Sequence, residues 1–179
     1  MIQQEGLQGD SPVVSPVRIR RLNLPEDSVE ELTELLHRSY APLAAAGFRY
    51  YATHQGPEET RERCERGESY VALIDDTIVG TITLYDSHSE DVPWYSRPDV
   101  GYFGQFGVEP SLQRRGIGQQ LLRLVEDRAR QLGLRELGLD TAEGARHLIE
   151  WYQREGYRIV AHHSWSVTNY RSVIMSRTL

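Results

Sequence analysis

The stretch Val100-Gly101-Tyr102-Phe103-Gly104-Gln105-Phe106-Gly107-Val108, then Glu109-Pro110, then Gln113-Arg114-Arg115-Gly116-Ile117-Gly118, decides the reading of this chain. The first run is apolar and interrupted by glycines, which suits a strand carrying a bulge. Beyond the Glu109-Pro110 break, Leu121, Leu122, Val125, Ala129 and Leu132 recur at three and four residues and predict a helix. The order is therefore strand, glycine-bearing loop, helix. Such a loop lets backbone N–H groups converge at a helix N-terminus, whose partial positive charge suits a phosphate. The Gly-Lys-Ser/Thr of a P-loop is absent, and Leu121 stands where a dinucleotide fingerprint needs its third glycine.

Gln113 to Gly118 resembles the Gln/Arg-x-x-Gly-x-Gly/Ala signature of the GCN5-related N-acetyltransferases, the GNAT family. A second element, Trp151-Tyr152-Gln153-Arg154-Glu155-Gly156-Tyr157, is similar to that family's Tyr-x-x-x-Gly-Phe/Tyr, and Asn169 to Met175 looks like its final strand. The resemblance covers the chain from about Val17 to Leu179. It implies an α/β fold, with a mixed, mostly antiparallel central sheet of about seven strands flanked by helices. It also implies a splayed strand pair at the cofactor site, where the pantetheine arm of acetyl-CoA lies as an extra strand. On that reading Phe106, Gly107 and Val108 offer main-chain groups to the arm and to the thioester carbonyl. Gln113, Arg114, Arg115, Gly116, Ile117, Gly118 and Gln119 then form the pyrophosphate grip. Backbone amides of Arg115, Gly116 and Gly118 carry it, with one of the two arginine side chains on phosphate. Ala145 fills a site where the family often has asparagine, so one side-chain hydrogen bond to CoA is lost.

The same resemblance sets Tyr152 beside the CoA sulfur as the catalytic phenol, donating to the leaving thiolate. The family's glutamate base has Tyr102 at its place here, and an uncharged tyrosine is a poor base near neutrality. Asp99, Glu90, His54 or an ordered water stand as alternatives. Tyr50, Tyr51, Tyr102 and Trp94 are candidate acceptor-binding residues. The implied activity is transfer of acetyl from acetyl-CoA to a primary amine of a small molecule or peptide, by direct attack in a ternary complex. A non-catalytic acyl-CoA-binding or regulatory module on the same fold is the alternative, and a nucleotide-dependent oxidoreductase a third class. The resemblance also allows a homodimer.

The 179 residues fit one domain, here 17–179 behind a loose Gln/Gly/Ser/Pro-rich tail, 1–16. A net charge of -6 argues against nucleic acid as a partner. No apolar run reaches the ~20 residues of a membrane span. Neither does the N-terminal segment have the pattern of a signal peptide. Cys64, the one cysteine, cannot form an intramolecular disulfide and suits a reducing cytoplasm. No metal is expected, because the adjacent His162 and His163 point apart in an extended chain, with no carboxylate nearby in sequence.

The remaining elements follow from periodicity. Val17 to Arg20 alternates as a strand; Pro25 opens a helix that Ala41-Pro42 disturbs or ends; Gly56-Pro57 starts a second, polar helix through Arg66. Leu43 to His54 reads as a short helix burying aromatics or as part of the acceptor wall. Ser69–Ile74 and Thr77–Tyr85 form a hairpin, and 86–99 a long loop. Strands at Leu137–Thr141, Tyr157–Ala161 and Ser172–Thr178 complete the sheet, around a helix marked by Ala145, Leu148, Trp151 and Tyr152.

Overall fold

The computed structural model describes residues 16–24, 26–86 and 91–179. Seven strands form one sheet: β1 (Arg18–Arg21), β2 (Glu68–Ile74), β3 (Thr77–Tyr85), β4 (Val100–Val108), β5 (Glu136–Ala142), β6 (Arg158–His163) and β7 (Ser172–Thr178). Their order across the sheet is β1-β2-β3-β4-β5-β7-β6, and every neighbouring pair is antiparallel except β4 and β5. That mixed, mostly antiparallel seven-stranded sheet matches the sequence expectation. The supposed tail lies almost wholly outside the described residues.

Side-chain alternation sorts the helices onto two faces. Val71 and Leu73 of β2 pack with Leu32 and Leu35 of α1 (Val29–Ala45) and Cys64 of α2 (Pro57–Glu65). Ala72, between them, joins the opposite face with Leu121, Leu122, Val125 and Ala129 of α3 (Ile117–Gln131). Leu148 and Tyr152 of α4 (Arg146–Arg154) reach this second cluster too. Leu121 is fully buried, and its truncation to Ala would cost about 2–5 kcal/mol.

Two helix boundaries differ from the sequence reading. Helix α1 starts at Val29, where the Ser28 hydroxyl accepts from the Glu31 amide, while Pro25 lies outside the described residues. It also runs through Pro42 to Ala45. One missing hydrogen bond in the last turn is offset by Leu43, buried against Tyr50, Ala142 and Ala145. In addition, β6 runs past Ala161 to include His162 and His163, and His162 Nε2 lies 3.4 Å from a Glu143 carboxylate oxygen. That partner is distant in sequence, which spacing alone does not reveal.

Candidate active site

The site begins where β4 leaves β5. The two parallel strands pair only over Val100–Tyr102 and Glu136–Gly138. Beyond Tyr102, β4 continues to Val108 with β3 alone, while β5 runs to Ala142 against β7. The cause is a bulge. Thr81 faces Gly107 and Thr83 faces Gly104, so Gln105 and Phe106 are set opposite the single residue Ile82. Gln105 takes a left-handed φ of 47°, although its neighbours Gly104 and Gly107 are glycines. Gln55 Nε2 donates to its buried amide oxygen at 2.8 Å, and its own Nε2 lies 3.3 Å from both Cys64 Sγ and Thr83 Oγ1. Those contacts hold the conformation in place of glycine's freedom.

The glycines of β4 instead make room for the protein's own side chains. A Cβ on Gly107 would sit 2.3 Å from Ser39 Oγ, so α1 can lie directly on the strand. One on Gly101 would meet Leu134 at 2.6 Å. The glycine pattern thus signals the irregular strand, but close approach by a ligand is not what fixes these positions.

At the end of β4 the chain turns through Arg114 (φ 61°) and Gly116 (φ 81°) into α3. No side chain caps this helix, and its first backbone bond runs from the Gln120 amide to the Gly116 carbonyl. The amides of Ile117, Gly118 and Gln119 therefore stand as unpaired helix-terminal donors among the described residues. Gln113 is spent inside the loop, its Nε2 donating to the Val108 carbonyl at 3.2 Å. Gln119 Nε2 likewise donates to Glu155 at 2.7 Å.

A cleft of about 560 Å³ runs from this loop into the gap between β4 and β5. Phe106, Gly107, Val108, Gln113, Arg114, Gly116, Ile117, Gly118, Gln119, Tyr50 and Tyr152 all line it. So do residues to which the sequence reading assigned no role there: Ser39, Tyr40, Asp140, His147, Trp151 and Arg154. Arg114 and Arg154 make the outer end cationic on a chain of net charge -6. At the inner end Tyr152 is 8% exposed, its ring packed among Phe103, Trp151 and Tyr157. Burial pushes its phenol well above the ordinary range, so it stays protonated throughout the neutral range.

Asp140, on β5, is the carboxyl that faces this cleft. Trp165 Nε1 and Ser172 Oγ both donate to its Oδ2, at 3.0 and 3.2 Å. Burial still outweighs them and raises its pKa above the usual carboxylate value. A half-buried carboxyl with a raised pKa in a cleft has the properties of a proton acceptor. The sequence held a usable signal: within Leu137–Thr141 the alternation puts this one acid among apolar residues.

Other candidates fall elsewhere. Arg115 is exposed and does not line the cleft. Tyr51 does not line it either and sits in the turn at Tyr51–Thr53 against His54 and Arg63, while Tyr102 is stacked between Tyr85 and Tyr95 at the point where the strands part. Trp94 is not brought to the site. It lies under Arg97 and Arg158, and Arg158 is ion-paired with Glu136 at the opposite end of β5 from Asp140. Packing of the 91–99 segment on that end of the sheet explains the misplacement. Asp99 is paired with Arg97 at 2.9 Å in the same region, and His54 is exposed beside Tyr51. Glu90 lies outside the described residues.

The fold and cleft define an acyltransferase-like α/β protein with a parted parallel strand pair above an uncapped helix. Residues 29–157 match the family described as Acetyltransferase (GNAT) family. This chain belongs to that family. It is 32% identical over 137 residues to S-(2-succino)cysteine N-acetyltransferase of Bacillus subtilis (strain 168), covering 74% of this chain and 79% of that one. Its fold is similar to PH1933 from Pyrococcus horikoshii OT3, with a TM-score of 0.72 and 20% identity over 92% of this chain and 99% of that one. An acetyltransferase of Bacillus subtilis in complex with CoA superposes with a TM-score of 0.66 at 22% identity, covering 92% and 99% of the two chains.

Proposed function

We propose that this protein transfers an acetyl group from acetyl-CoA to the primary amine of a small molecule or peptide, within a ternary complex. The observation that carries the reading is the gap between β4 and β5, opening beside the unpaired amides of Ile117, Gly118 and Gln119. The donor set suits a diphosphate: helix-terminal N–H groups, a left-handed turn at Arg114 and Gly116, and cations at the outer end. Arg115 would reach it only from outside the cleft. Phe106, Gly107 and Val108 would present main-chain groups to an extended arm in the gap, as a further strand would use them.

Bound acetyl-CoA supplies an acyl group on a thiol leaving group; the chain's residues do the rest. Asp140 would take a proton from the acceptor ammonium, leaving a neutral nitrogen able to attack. Tyr152, protonated across the neutral range, would donate a hydrogen bond to sulfur as charge develops there. A β4 amide near Phe106 to Val108 would stabilise negative charge on the carbonyl oxygen. Tyr50, whose hydroxyl bonds Thr141 Oγ1 at 2.8 Å, would wall the acceptor side with Tyr51 and Tyr102.

The test is thiol release from acetyl-CoA with a panel of amines, S-(2-succino)cysteine first because the Bacillus subtilis relative is named for it. Turnover with at least one amine, lost in Asp140→Asn, supports the reading. CoA binding without turnover on any amine would instead favour a non-catalytic binding module.

A further inference from the structure

Arg63, near the end of α2, is an arginine without an acid. No carboxylate among the described residues lies within 4.0 Å of its guanidinium. Its contacts are with neutral groups. Nη1 donates to the Gln55 amide oxygen, and the cation lies 5.3 Å from the Tyr51 ring centre. Gln55 is itself fixed, 1% exposed and donating to Thr60 Oγ1 at 2.7 Å and to Gln105. The guanidinium is thus anchored on one side and unspent on the other.

Its free side lies over β4 where that strand has left β5. A Cβ on Gly104 would sit 3.3 Å from Arg63 Nη2 and 3.5 Å from Tyr85 Cε2, so both groups border one point on the strand. Tyr85 is 4% exposed, and its hydroxyl has no hydrogen-bond partner. A guanidinium nitrogen and the edge of a ring whose buried hydroxyl lacks an acceptor therefore border the same point, and the unpartnered hydroxyl is costly unless something completes it. Tyr85 stacks on Tyr102 at 4.9 Å, and Tyr102 pairs with Gly138, two residues before Asp140 on β5, so this point lies beside the place where the two strands part.

Resting on the acetyltransferase reading, we infer that the acceptor is an amine bearing a carboxylate, which Arg63 and the Tyr85 hydroxyl bind above Gly104 while the amine faces Asp140. Guanidinium presents paired N–H donors that match the two oxygens of a carboxylate, and a buried phenol adds a third. The inference runs against the chain's acidic balance, since a local cation decides at contact range.

The experiment compares kcat/KM for S-methylcysteine, S-(2-succino)cysteine and S-methylcysteamine, the last without any carboxylate. In the wild-type protein the carboxylates should be preferred by about 100-fold. Arg63→Gln should reduce that preference to within a few fold, and Arg63→Lys should retain part of it, since charge survives without the paired geometry. Melting temperature and acetyl-CoA affinity of each variant separate misfolding from lost recognition, and the wild-type ratio needs no variant. Equal turnover of S-methylcysteamine, or a preference that survives Arg63→Gln, overturns this inference and leaves the acetyltransferase reading standing. No thiol release with any amine overturns both.

Discussion

Replacing Gln105 with Ala tests whether a buried polar network, rather than glycine, shapes the site. The Gln105 side chain is 2% exposed and takes part in hydrogen bonds with Gln55, Thr83 and, more weakly, Cys64. Each such bond is worth about 1 kcal/mol net. The partners are not left bare: Gln55 Nε2 keeps Thr60 Oγ1 at 2.7 Å, and Thr83 Oγ1 keeps Ser69 Oγ at 2.8 Å. The expected cost is therefore about 2–3 kcal/mol, with no large term for orphaned groups. On a chain of this size that lowers the melting temperature by roughly 5–10 °C. Gln105→Gly loses the same bonds but relieves the left-handed φ of 47°, so it should be more stable than the Ala variant by about 0.5–1 kcal/mol. Urea unfolding of the three proteins measures both differences. An Ala variant within 0.5 kcal/mol of wild type, or a Gly variant less stable than Ala, would refute the assignment of the bulge to this network.

Four further outcomes are expected. Tyr152→Phe keeps the ring packing and removes the donor, so kcat should fall by about 10²-fold while acetyl-CoA affinity in calorimetry changes little. Activity should rise with pH as Asp140 ionises, with a midpoint raised from the ordinary aspartate value by burial, and Asp140→Asn should remove that limb of the rate profile. Arg128 holds the Glu68 carboxyl down to about 2, so its stabilisation is full above the ordinary carboxylate range and fades as pH falls towards about 2; urea unfolding of Glu68→Gln should show a shallower loss across that window. Gly116→Ala forces a side chain into φ 81°, costing about 1–2 kcal/mol in thermal unfolding and weakening acetyl-CoA binding.

Much of the fold was legible because periodicity and punctuation agree. Ser172–Thr178 and Thr77–Tyr85 are bounded as alternation and the Asp75-Asp76 turn require. Pro42 misled, since a proline in a last turn costs one bond and tertiary burial of Leu43 outweighs it. The glycines of β4 marked an irregular strand, yet the strained residue is Gln105, which only long-range partners can hold. Asp140 was legible in principle as the one acid within Leu137–Thr141, but its partners Trp165 and Ser172 come from distant sequence. Trp94 failed for the converse reason. An aromatic in a polar loop has no sequence mark of the sheet end on which it packs.

Hydrogen exchange with and without acetyl-CoA tests the ligand's place most directly. Slowed exchange should concentrate in peptides covering Phe106–Val108 and Arg114–Gln119, with β1 and β2 unaffected. Uniform exchange at millimolar acetyl-CoA, or protection confined to other segments, would contradict a cofactor seated between β4 and β5.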